Sequence, residues 1–297
     1  MKALKTLAVA LGVIVALSCV SCQKEKAGVY APKKKIQRLY YSWNSTEKLP
    51  YQQWEWEGDR ISSITHYANF QMKEDTWEEV FTYEDNRIKR VDNLSNGEYI
   101  IYGYSDNHLR VATVCYHNYT ECTWAIGYDG DHITKLTGTF YGKEKCSHEM
   151  HLNPLSHLLS PDLCDCIARC EQHTAHHRHH DGNYTISVQL VWENGNIGKI
   201  IYSDDDDIYS LQLQYDDKLS PWYGFMGGLD DYLTSLEAGS TTFAKHNVTS
   251  MVYKEEYDTD TICYAYQYDS DKYPILQTRY IAGYPDEKRV LYYEYNK

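Results

Sequence analysis

The sequence lacks the short motifs that mark the common classes of enzyme. It contains no Gly-x-Ser-x-Gly nucleophile turn, no glycine-rich phosphate loop and no His-Glu-x-x-His zinc motif. Because the chain has 42 acidic residues, no particular pair of carboxylates can be singled out for glycosidic chemistry. We therefore predict a non-enzymatic protein.

Basic residues are also in deficit. The chain has 29 lysines and arginines against 42 aspartates and glutamates, and a formal net charge of −13. A chain with this charge repels phosphate-rich surfaces. The composition therefore argues against nucleic acid, or an anionic membrane surface, as a partner.

A hydrophobic run long enough to span a membrane is absent. The N-terminal apolar stretch, Leu7–Leu17, has about 11 residues, whereas a spanning helix needs roughly 20. Two lysines precede it and small residues follow, as is typical of a signal peptide. A cysteine after a small residue resembles the lipobox of bacterial lipoproteins, which implies a lipid anchor. Cys22 is preferred for lipidation because the hydrophilic residues 23–26 follow it directly, and Cys19 is the alternative.

Phenylalanine is scarce, with 5 residues against 30 tyrosines. A tyrosine can lie half-buried, with its ring packed and its hydroxyl in water. Such residues suit a sheet that has one solvated face.

One short phrase recurs along the chain. Each copy has alternating aromatic or aliphatic residues, a tight polar turn and an apolar residue that restarts the pattern. The copies are 54–61, 81–88, 102–109, 126–133, 190–197, 213–219, which is one residue shorter, and 266–273. Asn, Asp and Gly tolerate the positive φ of two-residue primed turns, so each copy predicts a β-hairpin. Seven hairpins imply roughly fourteen strands.

Apolar residues after each turn recur at a spacing of three, as in Ile61 and Ile64 or Ile88 and Val91. Strict strand alternation would place such residues on opposite faces. Either a recurrent β-bulge returns them to one face, or both faces are partly covered because the meander curls on itself.

The predicted fold is therefore all-β, a long antiparallel meander of repeated hairpins, twisted or curled. Helix signals are few: one short helix is predicted from Ser160 and another from Asp230 or Asp231 to Gly239. We divide the chain into a signal peptide at 1–21, a charged, lipidated tether at 22–35 and a repetitive β-domain at 36–297.

The repeats, the lipobox leader and several C-terminal segments together resemble Bacteroidetes outer-membrane lipoproteins of unknown function with tyrosine-aspartate-like repeats. The segments are 219–224, 245–250, 266–269, 273–274 and 292–295. The resemblance covers nearly the whole mature chain, and it implies a β-meander at the cell envelope with no assigned activity. The chain departs from the pattern at a long insertion between Phe140 and Tyr184.

This insertion, residues 141–183, is rich in cysteine and histidine. If a helix continues to His177, then Cys166, Cys170, His173 and His177 share one face. Together with Cys146 or His148, these side chains are candidate ligands for zinc or copper. A solvated loop with merely polar histidines is an alternative, and so are disulfides among Cys164, Cys166 and Cys170.

Elsewhere, Cys115 and Cys122 lie between adjacent predicted strands, so a cross-hairpin disulfide is a hypothesis. The preferred function is an envelope lipoprotein of the outer membrane that binds a glycan or protein through its sheet surface, with the leaflet left open. Tryptophans are candidate stacking platforms for such a partner, although packing within the sheet is favoured for repeat positions: Trp43, Trp54, Trp56, Trp77, Trp124 and Trp192. The alternative function is metal binding by the insertion.

Overall fold

The computed structural model describes residues 29–43, 47–67, 76–117, 119–141, 183–203, 208–225, 244–254 and 259–296. Every regular element in these ranges is a β-strand. The strands are β1 (Ile36–Trp43), β2 (Leu49–Glu57), β3 (Arg60–Tyr67), β4 (Thr76–Glu84), β5 (Arg87–Asn93), β6 (Glu98–Ser105), β7 (His108–Tyr116), β8 (Tyr119–Asp129), β9 (His132–Phe140), β10 (Tyr184–Glu193), β11 (Asn196–Ser203), β12 (Ile208–Leu219), β13 (His246–Lys254), β14 (Thr259–Tyr268), β15 (Pro274–Ile281) and β16 (Tyr284–Tyr295).

The sixteen strands form a closed antiparallel barrel. Each strand pairs with the next one along the chain, and β16 pairs with β1 to complete the ring. The predicted all-β meander is confirmed, with two more strands than expected. The two predicted helices lie outside the described residues. In the part of the chain that is described, no helix is long and apolar enough to cross a membrane.

The barrel has two different ends. We call one end the repeat rim, where β2–β3, β4–β5 and the later even-to-odd pairs connect, and where β1 begins and β16 ends. The opposite end, where the odd-numbered strands connect to the even-numbered ones, is the far rim. The Cys/His-rich insertion connects β9 to β10, so its two described ends, Tyr141 and Asn183, lie at the far rim.

Side chains alternate between the inside and the outside of the wall. On β10, Ile186, Val188 and Leu190 are buried, whereas Thr185 and Gln189 are exposed. The buried side chains of the strands form one continuous hydrophobic cluster inside the barrel. A barrel that spans lipid has the reverse pattern, with apolar residues outside and a polar interior. This wall therefore presents its polar face to the surroundings.

A recurrent bulge explains the spacing of three. On β3, Ile61 lies opposite Trp56 and Ser63 opposite Glu55, so Ser62 is an extra residue that returns Ile64 to the inner face. Equivalent extra residues follow the turns of the other repeats and the start of β1: Gln37, Lys89, Arg110, Thr134, Gly198, Thr249 and Ile275. Of the two explanations that the sequence left open, the bulge is correct.

Six of the seven repeat copies form hairpins as predicted, and three of their turns contain two successive residues with positive φ: 85–86, 106–107 and 194–195. The prediction is wrong for 213–219, which stays within β12. There the Asp216 carboxylate accepts hydrogen bonds from the Lys218 amide (2.8 Å) and the Tyr268 hydroxyl. The chain then leaves the wall at Ser220 and returns at β13.

The barrel includes part of the segment predicted to be a tether. Tyr30 is buried in the core cluster, Lys34 pairs with Asp269 (2.5 Å), and Lys35 pairs with Asp59 (2.7 Å). The stretch from Val29 to Lys35 therefore belongs to the repeat rim, because its side chains pack and pair there. The signal peptide and Cys22 lie outside the described residues.

Candidate binding surfaces

A ring of aromatic side chains closes the repeat rim. Each even-numbered strand carries one aromatic residue that packs against the edge of the core: Trp56, Tyr83, Tyr104, Tyr128, Trp192, Tyr215, Tyr266 and Tyr295. Seven of them donate a hydrogen bond of 2.7–3.0 Å to a backbone carbonyl on the odd-numbered strand one place earlier; the acceptors are Ile36, Ile61, Ile88, Ile133, Ile197, Val248 and Pro274. The eighth, Tyr128, lies beside the Leu109 backbone.

The bulge and the ring depend on each other. Every acceptor residue directly precedes an extra bulge residue, where the regular ladder of backbone hydrogen bonds is interrupted. The tyrosine hydroxyl or tryptophan Nε1 of the next repeat then donates to that carbonyl. Phenylalanine cannot donate, which explains why the ring positions carry tyrosine or tryptophan.

In two copies of the phrase, the arginine covers the aromatic ring of the next repeat. Arg60 lies over the Tyr83 ring (5.3 Å) and Arg87 over the Tyr104 ring (5.2 Å). Arg60 Nε also donates to Asn86 Oδ1 in the next turn, at 2.7 Å. The whole phrase thus encodes contacts between successive hairpins as well as the turn itself.

An eighth copy of the phrase is split between the two ends of the chain. Tyr295 supplies its aromatic residue, and Ile36, which lies opposite Tyr295, supplies its acceptor carbonyl. The Asn296 amide donates to the Lys35 carbonyl at 2.9 Å. The search for repeats along the sequence missed this copy because its two halves are far apart in the chain.

An aromatic plug seals the interior at the repeat rim. Trp222 and Phe225, from the segment after β12, pack against Trp54 with ring centroids 5.7 and 5.0 Å away. The Tyr30 hydroxyl donates to the Pro221 carbonyl at 2.6 Å, and burial raises the pKa of Tyr30. The plug therefore fastens the N-terminal segment to the barrel.

Buried polar side chains line the wall nearer the far rim. His66 Nε2 lies 3.0 Å from Glu79 Oε2, and both side chains are almost completely buried. The His66 ring stacks on Trp77 at 4.7 Å, and its Nδ1 lies 3.3 Å from Gln52 Nε2. The Trp54 Nε1 donates to Gln52 Oε1 at 2.9 Å. These contacts hold a histidine and a carboxylate in fixed positions inside a hydrophobic core.

The neighbouring part of the wall is basic. Arg279 on β15 lies opposite Arg289 on β16, and Arg279 is buried. Burial raises the pKa of Tyr41 to about 12, against the opposing effect of these two arginines. Gln277, also buried, accepts a hydrogen bond from the Tyr293 hydroxyl at 2.7 Å.

These buried residues were not identified from the sequence. The available signal was a charged residue at an inward position, such as Glu79 between Trp77 and Phe81. The partners of Glu79 come from other strands, so no local spacing reveals them.

The tryptophans do not form exposed stacking platforms on the wall. Trp54, Trp77 and Trp124 are buried in the interior. Trp56 and Trp192 are half-buried, and each donates its Nε1 to a backbone carbonyl. Their role is to pack and connect the strands, as favoured for the repeat positions, and the platform hypothesis fails for these five residues.

The structure does not form the predicted disulfide between Cys115 and Cys122. Cys115 lies opposite Thr120, whereas Cys122 lies opposite Val114 and belongs to the core cluster. The two cysteines therefore occupy neighbouring strands but not directly opposed positions. All the candidate metal ligands, Cys146, His148, Cys166, Cys170, His173 and His177, lie outside the described residues. Within the described ranges, no group of three or more His, Cys, Asp or Glu side chains could hold a metal ion.

The fold is similar to that of two solved structures. One is a porin-like protein from Bacteroides uniformis, with 10% identity and a TM-score of 0.50, covering 88% of this chain and 98% of the other. The second is a porin-like protein from Bacteroides vulgatus, with 10% identity and a TM-score of 0.51, covering 89% and 99%. At this identity the likeness shows the shared fold, a closed antiparallel barrel. No protein-family model and no curated protein matches the chain.

Proposed function

We propose that this protein is a non-enzymatic lipoprotein of the outer membrane, anchored through Cys22, that binds a glycan or protein partner at its far rim. The observation that carries the proposal is the packing of Val29–Lys35 into the repeat rim. With an anchor at Cys22, this packing supports an arrangement in which the repeat rim lies next to the membrane.

The linker between the anchor and the barrel is short. Residues 22–28 number seven, and seven residues reach at most about 25 Å when fully extended. The repeat rim therefore faces the membrane, and the far rim faces away from it. This orientation follows from the predicted lipidation of Cys22 and from the position of Tyr30 in the plug.

The two rims are built for different tasks. The repeat rim has the short hairpin turns, the aromatic ring and one long connection, 220–245, whose first residues form the plug. The far rim carries two long connections, 68–75 between β3 and β4 and 141–183 between β9 and β10. Connections that vary in length and are held by a rigid scaffold are the usual site of binding.

The packed interior argues against a pore. Most inward side chains form one hydrophobic cluster, buried polar residues such as His66 and Glu79 lie towards the far rim, and Trp222 and Phe225 cover the cluster at the repeat rim. An aqueous channel instead needs a polar, open lumen. The proposal therefore places this barrel in water beside the membrane.

Quenching by lipid tests the orientation. The lipidated protein is inserted into vesicles that carry a quencher on the lipid headgroup, with a fluorescent amino acid at Asn107 (repeat rim) or at Asn96 (far rim). We expect strong quenching at Asn107 and little at Asn96. Equal quenching, or the reverse order, contradicts the orientation. Glycan arrays and pull-downs from envelope extracts test for a partner, and no ligand in either contradicts the binding function.

Metal binding by the insertion is the second candidate function. The observation in its favour is that Phe140 and Tyr184, stacked at 4.6 Å, bring the two ends of the insertion together at the far rim. Elemental analysis of tag-free protein, with and without residues 146–180, tests it. Near-stoichiometric zinc or copper that disappears on deletion supports the function, and metal content that is unaffected by deletion contradicts it.

A further inference from the structure

Two arginines face each other on the inner side of the barrel, close to the far rim. Arg279 on β15 lies directly opposite Arg289 on β16, and we call them the arginine pair. Arg279 is two residues from Ile281, the far-rim end of β15, and is 4% exposed. Arg289 is half-buried. The exposed part of Arg289 makes the pair accessible from the far rim.

The juxtaposition of these two positive charges is unfavourable by itself. Like charges directly opposite each other on neighbouring strands destabilise a sheet. Burial of a guanidinium also removes it from water, which is costly unless anions or hydrogen-bond acceptors surround it. An oxyanion between the two side chains offsets both costs, because a guanidinium presents paired N–H donors that match a carboxylate. The pair therefore has the chemistry of an anion site.

Among the described residues that are buried, Glu79 is the only carboxylate. It lies on β4, four strands from β16 around the barrel, and its Oε2 is 3.0 Å from His66 Nε2. The side chains of Asp286 and Glu287, on the same strand as Arg289, lie outside the described residues. Three other charged side chains near the far-rim ends of β1 and β16 are exposed: Glu47, Lys48 and Lys288. On β15 and β16, the described inward charges are therefore both positive.

Tyrosines surround the arginine pair. Tyr264 on β14 lies opposite Arg279 and belongs to the core cluster. Burial raises the pKa of Tyr41, and the charges of both arginines oppose that rise, so both lie near its hydroxyl. One step closer to the repeat rim, Tyr293 donates to Gln277 Oε1 at 2.7 Å. Side chains that combine a ring face with a hydroxyl suit a sugar, which has both C–H faces and hydroxyls.

We propose that the arginine pair binds the carboxylate of an acidic sugar, such as a uronic acid, and that the surrounding tyrosines contact the sugar ring. This inference rests on the proposed function, because it names the class of glycan bound at the anchor-distal rim. The net charge of −13 repels anions at long range. Binding therefore depends on short-range contacts with the pair and the tyrosines, which select for an anion that is also a sugar.

Isothermal titration calorimetry of the leaderless protein tests the proposal with four probes. The probes are tri-galacturonate, the neutral trimer of galactose, inorganic phosphate and a tri-glutamate peptide. We expect tri-galacturonate to bind at least about ten-fold more tightly than each of the others, because only this probe combines carboxylates with sugar rings.

Substitutions of Arg289 locate the site. Arg289→Gln should weaken tri-galacturonate binding about ten-fold or more, because it removes one charged donor of the pair. Arg289→Lys keeps the charge and loses the paired donors, so its affinity should lie between those of the parent and Arg289→Gln. Arg38→Gln is the matched control, since Arg38 is exposed on the outer face of the neighbouring strand β1 and the substitution changes the net charge equally. Urea unfolding checks the fold of each variant, and Arg289→Lys carries the test if Arg289→Gln lowers the midpoint.

Three results overturn the inference: no binding of tri-galacturonate, equally tight binding of any other probe, or equal losses of affinity in the Arg289 variants and Arg38→Gln. None of these results alters the lipid-quenching outcome. A far rim that points away from the membrane without uronate binding therefore refutes this inference alone. Reversed quenching refutes the proposed function itself.

Discussion

Removing a single hydroxyl from the aromatic ring should weaken the barrel. Tyr104 donates to the Ile88 carbonyl at 2.7 Å, its ring packs against the core, and Arg87 lies over its face. Tyr104→Phe keeps the ring and removes only the donor. A net hydrogen bond contributes about 0.5–1.5 kcal/mol, and a carbonyl left unsatisfied at a bulge places the loss at the upper end. We expect Tyr104→Phe to lower the free energy of unfolding by about 1–1.5 kcal/mol.

Tyr102 provides the matched control on the same strand. It is fully buried on the same face, and its hydroxyl has no hydrogen-bond partner among the described residues. Burial raises the pKa of Tyr102 well above its usual value. Because Tyr102→Phe removes a buried polar group that makes no hydrogen bond, we expect no loss of stability, or a gain of up to about 1 kcal/mol.

Urea unfolding of the leaderless protein, followed by tryptophan fluorescence, measures both variants. A change in midpoint at constant m-value reports a change in stability. The two Tyr→Phe substitutions lie at neighbouring inward positions, and we expect them to change the free energy of unfolding in opposite directions. This difference separates the effect of the hydrogen bond from any general effect of losing a hydroxyl. Equal losses in the two variants, or an unchanged midpoint for Tyr104→Phe, would refute the role given to the ring.

Three further predictions concern the anchor, the buried pair and alkaline pH. Cys22→Ser should abolish fatty-acid labelling and membrane association in cells, whereas Cys19→Ser should not, and the reverse would move the anchor to Cys19. Glu79→Ala and His66→Ala should each cost about 3–5 kcal/mol in urea unfolding, because each leaves the other group buried without its partner, while the double variant should lose less than the sum. Burial raises the pKa of Tyr83 from 10.0 to about 12. Because this tyrosine ionises at lower pH in the unfolded chain, the free energy of unfolding should stay constant below pH 10 and fall between pH 10 and 12. A tyrosinate absorbance titration without accompanying unfolding would contradict this.

Local features of the fold could be predicted because they depend on local chemistry. Turns such as Asp85-Asn86 need residues that accept a positive φ, and those residues appear in the sequence at the right spacing. The spacing of Ile61 and Ile64 also raised the bulge as one of two explanations. The hydrogen bond from Tyr83 to the Ile61 carbonyl favours the bulge. Because this bond joins two hairpins, it cannot be predicted from the sequence of either hairpin alone.

Closure of the barrel could not be predicted, because it depends on contacts between distant parts of the chain. Pairing β1 with β16 joins residues at the two ends of the domain. The eighth copy of the phrase is divided between these two strands, so it cannot be recognised as a repeat along the sequence. The copy at 213–219 was wrongly predicted to form a hairpin for the same reason. Its aromatic residue, Tyr215, takes part in the ring, but the residue opposite it is Val248, beyond a long excursion.

The excursion and the split copy meet at the same place on the repeat rim. The excursion supplies Trp222, which packs against Tyr293 on β16 at 6.3 Å, and Pro221, whose carbonyl binds the Tyr30 hydroxyl. The split copy joins Asn296 to Lys35. Residues 29–35 are therefore held by the last strand and by the plug together. If Cys22 carries the proposed lipid anchor, a force on the anchor first reaches the seam between β1 and β16.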